Sequence, residues 1–95
     1  MIPSTINICG IPHEVILCRD NFDIDCYFGQ IDYKRAVIKI NQDMSESVQM
    51  QALCHEWLHG ALAMLGFNDL TDNEQFVNAL STAMNETFAV KEGGT

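Results

Sequence analysis

The hydrophobic pattern of this chain changes period near residue 45, and that change restricts the fold more than any other feature. Before it, Ile, Val and Leu fall in short runs bounded by turn residues. Thr5 to Cys9 and Glu14 to Arg19 read as strands joined in a hairpin through Gly10-Ile11-Pro12, and Ala36 to Asn41 reads as another. Between them lies the polar stretch Asp20 to Asp25, after which Cys26-Tyr27-Phe28 makes a short strand and Gly29 to Tyr33 a turn. From Ser45 to Leu65 apolar residues recur at helical spacing, with Asp43 and Glu46 placed as a capping box and Gly66 as the stop. A second helix is expected from Thr71 to about Val90. Phe76, Val77, Leu80, Ala83, Met84, Thr87 and Phe88 form one stripe, and Thr71 and Glu74 form another capping box. Strands first and helices after is the α+β pattern: a three- to four-stranded, mostly antiparallel sheet, a long helix, then a C-terminal helix.

With 95 residues there is room for one core, so residues 1–95 are read as a single domain. Thirteen acidic against five basic residues give a net charge of −8, which repels phosphate backbones and anionic lipid surfaces. Neither nucleic acid nor a membrane is therefore an expected partner. The opening Met1-Ile2-Pro3-Ser4 leads into no long apolar run, and a cytoplasmic location is expected. Cys9, Cys18, Cys26 and Cys54 form no CxxC pair and are read as reduced, buried small hydrophobes. The short Gly93-Gly94 tail is expected to fray.

The chemistry concentrates in His55-Glu56-Trp57-Leu58-His59. Residues four apart on a helix lie one turn above each other, so His55 and His59 can aim imidazole nitrogens at one ion. Glu56 lies about 100° further round, where it can reach a water without joining the ligands. Leu53, Cys54, Trp57, Leu58, Ala61, Leu62, Met64 and Leu65 make most of the helix apolar, so it should be buried. Ala52 and Ala63 border the histidines one turn away and would leave space for an ion, a water and a substrate. Burying two histidines without partners would cost roughly 1–3 kcal/mol for each unsatisfied group.

A catalytic zinc takes three protein ligands and keeps one position for water. Among Asp69, Asp72, Glu74 and Glu86, Glu74 lies beside the apolar stripe of the second helix and is the chosen ligand. Asp72 and Asp69 are the substitutes, and Glu86 points away. Such a site, holding one Zn2+, is suited to hydrolysis in which the metal activates water and polarises a carbonyl while Glu56 takes the proton and passes it to a leaving amine. Tyr27, Tyr33 and His13 are the candidates to donate a hydrogen bond to the developing oxyanion. The competing reading keeps the zinc and drops the reaction, giving a binding protein that captures a partner without cutting it.

From about Cys26 through Ala89 the sequence resembles the small zincin-type (HExxH) metallopeptidases of phages and bacterial mobile elements, related to the ImmA/IrrE-type peptidases. The likeness lies in Tyr27-Phe28-Gly29-Gln30-Ile31-Asp32, Ile38-Lys39-Ile40, Leu53-Cys54-His55-Glu56-Trp57-Leu58-His59 and the segment from Glu74 to Met84. The resemblance implies a minimal zincin-like domain with His55, His59 and Glu74 as zinc ligands and Glu56 as catalytic base. It also implies a peptide or protein substrate paired in extended form against an edge strand near Val37 to Asn41.

Overall fold

The computed structural model describes residues 2–19 and 28–90. Four strands, β1 (Thr5–Ile8), β2 (Ile11–Cys18), β3 (Gly29–Asp32) and β4 (Val37–Asn41), precede the helices α1 (Glu46–Met64), α2 (Asn68–Thr71) and α3 (Glu74–Thr87). The expected α+β order is present. The expected strand residues Cys26 and Tyr27, the polar stretch before them and the Gly93-Gly94 tail lie outside the described residues.

β1 and β2 form a hairpin whose two-residue loop is Cys9 and Gly10, one residue earlier than the expected turn. Both have positive φ, 50° and 83°, as a primed turn matching the twist of the strands requires. Ile11 and Pro12 therefore belong to β2. Pro12 opposes Asn7 at the outer end of the hairpin, where the ladder to β4 has not begun, so its missing N–H breaks no pairing.

The strand order is β1-β2-β4-β3, with β1–β2 and β3–β4 antiparallel and β2–β4 parallel. Two expectations change here. Gly29 to Asp32 is a strand rather than a turn, because four residues of pairing with β4 outweigh its polar composition. Val37–Asn41 is a central strand, so the exposed edge on that side of the sheet is β3. Asn41 N–H donates to the Phe28 carbonyl at 2.8 Å. By the antiparallel alternation, Gln30 and Asp32 then point their backbone groups at β4, and Gly29 and Ile31 point theirs outward.

α1 starts at Ser45, whose side chain accepts from Val48 N–H, and not at an Asp43–Glu46 box. It stops at Gly66, φ 86°. One of its faces lies on the sheet, where Ile6, Ile8, Val15, Ile38 and Ile40 meet Ala52, Leu53 and Ala61. Two glycines permit this close approach. A Cβ on Gly60 would fall 2.8 Å from Ile8 Cδ1 and 2.9 Å from Ile31 Cδ1, and one on Gly29 would fall 3.0 Å from the Lys39 carbonyl oxygen and 3.4 Å from Glu56 Cγ. Trp57 ties the helix to the far edge, its Nε1–H donating to the Asn7 carbonyl at 2.9 Å.

The expected second helix is two. α2 is a single turn, and α3 begins at Glu74 under an Asn73 cap whose side chain accepts from Phe76 N–H at 3.0 Å. The apolar stripe read from Phe76 to Phe88 is only partly buried: Val77 and Ser81 are covered, whereas Leu80, Ala83 and Phe88 are exposed. Beyond the small cluster of Leu58, Leu62 and Val77, α3 meets α1 through polar groups. Gln51 donates to Ser81 and Thr82 and accepts from Asn85, and the Cys54 thiol donates to Asn85 Oδ1 at 3.6 Å.

Candidate metal centre

α1 presents His55 and His59 on the face turned toward α2 and α3, with ring centroids 4.7 Å apart and Nε2 atoms 3.1 Å apart. Glu74, the first residue of α3, completes the cluster. Its Oε1 lies 2.9 Å from His59 Nε2 and its Oε2 3.2 Å from His55 Nε2. The carboxylate is available because Asn73, and not a Thr71–Glu74 box, caps α3. The histidines are partly buried and Glu74 is exposed, so the cluster is open to solvent on the Glu74 side.

The donor set fits a metal ion. An ion bound tetrahedrally at about 2.0–2.1 Å keeps its ligand atoms roughly 3.3 Å apart; the two Nε2 atoms stand 3.1 Å apart, and each has one of the two carboxylate oxygens within 3.2 Å. Burial, reinforced by the neighbouring His59 and opposed by Glu74, pushes the His55 pKa down, which favours the neutral, ligating imidazole. Among the described residues His55, His59 and Glu74 form a group that could hold a metal ion. Asp69 and Asp72, the substitutes, stand outside it. The charge of Asp72 instead makes a small contribution to raising the pKa of Tyr33.

Glu56 is 9% exposed, tucked beside Gly29 of β3. Burial, with a smaller contribution from the Glu74 charge, pushes its pKa up to about 7. A carboxyl group poised there exchanges protons readily at neutral pH.

The candidate oxyanion donors separate clearly. Tyr33, just past β3, is at the site: its pKa is raised by burial and by the Glu56 charge, and its hydroxyl interacts with Thr71. His13 is buried in β2 with Nδ1 2.9 Å from the Ile11 carbonyl oxygen and takes no part in these contacts. Tyr27 lies outside the described residues.

The expected notch bordered by alanines is not reproduced at Ala52. Ala52 packs into the sheet-facing core and Ala63 is only partly buried. Thr71 and Asn78 take that place. Thr71 Oγ1 lies 2.9 Å from His59 Nδ1, and the Asn78 side chain is a polar partner of His55. Neither was read from the sequence as a site residue, although Asn78 stands four residues after Glu74 and so shares its helix face. Of the cysteines, Cys54 is buried, with burial pushing its thiol pKa up; Cys18 is partly buried and Cys9, in the hairpin loop, is exposed, contrary to expectation. Cys26 lies outside the described residues.

Among the described residues no helix is long and apolar enough to cross a membrane. Comparison of the chain with protein-family models, curated proteins and solved structures finds no match to any of them.

Proposed function

We propose that this protein is a zinc-dependent peptidase of the small zincin type, with His55, His59 and Glu74 as ligands and Glu56 as general base. One observation carries the reading. The two Nε2 atoms and the Glu74 carboxylate converge within 3.2 Å of one another, and that spacing of lone-pair atoms is relieved only by a proton or cation among them. Two imidazoles and one carboxylate, with a further position open to solvent, are a donor set of catalytic zinc sites.

When bound, the ion supplies Lewis acidity, making water a nucleophile at neutral pH and polarising a scissile carbonyl. The chain's own residues do the rest. Glu56, its proton affinity tuned to neutrality, takes the proton of the attacking water and delivers it to the departing amine nitrogen. Tyr33, half exposed beside Glu56, offers its phenolic O–H to the oxygen on which negative charge develops. The outward backbone groups of Gly29 and Ile31 pair with an extended peptide, so strand addition occurs at β3 and not at β4.

The test is cleavage of a diverse peptide library, read by mass spectrometry, with zinc-loaded wild type and Glu56→Gln. Cleavage by wild type alone, with zinc retained by both, supports the reading. Equal cleavage by the variant removes Glu56 from its role. Zinc binding without cleavage by wild type leaves a zinc-holding interaction protein in place of an enzyme.

A further inference from the structure

Thr71 ends α2, and its hydroxyl makes two contacts with a single residue of α1. It donates to the His59 carbonyl oxygen at 3.2 Å and stands 2.9 Å from His59 Nδ1. A hydroxyl carries one proton. With that proton committed to the carbonyl, the oxygen can only accept from the ring, so Nδ1 must carry the hydrogen. In the neutral ring that a metal requires, the other nitrogen then keeps its lone pair, and it is Nε2 that faces Glu74 Oε1 at 2.9 Å.

We propose that Thr71 is a positioning residue of the metal centre, fixing His59 in the Nδ1–H tautomer and orienting its ring so that Nε2 binds the ion. The inference rests on the metal-site reading above, but not on hydrolysis. It assigns α2 a purpose: this one-turn helix buries none of its residues and brings Thr71 back against His59 twelve positions earlier. The same hydroxyl interacts with Tyr33, so one side chain links a ligand to the residue proposed to meet the substrate. Partners of this kind fix the orientation and basicity of metal-bound histidines, and their loss typically weakens metal binding about 10–100-fold.

Cobalt(II) is the probe, because its visible absorption reports both occupancy and ligand geometry. Wild type, Thr71→Val and Thr71→Ser are titrated with it, and the histidine ring nitrogens of the zinc-loaded wild type are examined by long-range 1H–15N NMR. The expected results are one Co2+ per wild-type chain, a loss of affinity of about 10–100-fold with an altered spectrum in Thr71→Val, and recovery in Thr71→Ser. His59 should carry its proton on Nδ1 in the zinc-loaded protein. A purely structural role would leave the saturated cobalt spectra of all three proteins identical, and that outcome overturns the proposal. So does a proton on Nε2 of His59 in the zinc-loaded wild type, a result that stands even where Thr71→Val does not fold. Failure of wild type to bind cobalt at all would instead overturn the metal-site reading, and the proposal with it.

Discussion

The two sides of α1 are built on different physics. Toward the sheet, Leu53 and Ala61 interlock with Ile8, Ile38 and Ile40, and Gly60 lets the helix sit low enough for close contact. That side needs only dispersion and the removal of apolar surface from water. Toward α2 and α3 the helix offers Gln51, His55 and His59, answered by Asn85, Ser81, Thr82, Glu74 and Thr71, with only Leu58, Leu62 and Val77 as an apolar anchor. One side holds the helix in place and the other holds chemistry. Variants that damage stability and variants that damage the site should therefore separate by face.

The largest effect on stability is expected on the sheet side. Leu53→Ala empties a fully buried position and should cost about 2–5 kcal/mol in denaturant unfolding of the metal-free protein. A cost under 1 kcal/mol would mean that this face is not the structural one.

The next effect runs in the opposite direction, because Glu56, at the border of the two sides beside Gly29 of β3, is a group the fold would sooner keep neutral. The folded pKa of Glu56 lies at about 7, above its ordinary 4.5. The protonated form is thus favoured in the native state. Its full contribution to stability is present below about pH 4.5, is lost as pH rises through about 7, and levels off above. Glu56→Gln should stabilise the metal-free protein at pH 8 by up to about 3 kcal/mol relative to wild type, with little difference at pH 4. A pH-independent difference between the two proteins would contradict this account of Glu56.

The smallest pair of changes sharpens the contrast most. Ser45→Ala and Asn73→Ala each remove a helix cap and should each cost about 1 kcal/mol. Only Asn73→Ala should weaken zinc binding, since Asn73 fixes the turn that presents Glu74, while Ser45 caps the far end of α1. Equal zinc affinity in the two variants would show that the Asn73 cap does not place the ligand.

Much of this arrangement was legible in the residues, for reasons that differ by element. His55 and His59 needed only helical spacing, which is local. Glu74 was open to two readings, because Thr71 and Asn73 are both good cap residues and the spacing of Thr71 and Glu74 mimics a capping box. Which one caps α3 depends on where α2 breaks the helical run, and the stripe from Phe76 onward does not reveal that break. The role of β3 was hidden because Gly29-Gln30-Ile31-Asp32 is short and half polar, and its strand character comes from pairing with β4. The place of β4 in the sheet was misread because order along the chain does not specify order across a sheet that includes a parallel pair. Thr71 could not be recognised as a partner of His59, since the contact spans a helix end, a loop and a second helix.

Zinc titration of the metal-free protein against a chromogenic chelator, with wild type beside His59→Ala, tests the central claim most directly. The account predicts one high-affinity zinc per wild-type chain and its loss in the variant. No zinc bound by wild type, or the same affinity in both proteins, would contradict it.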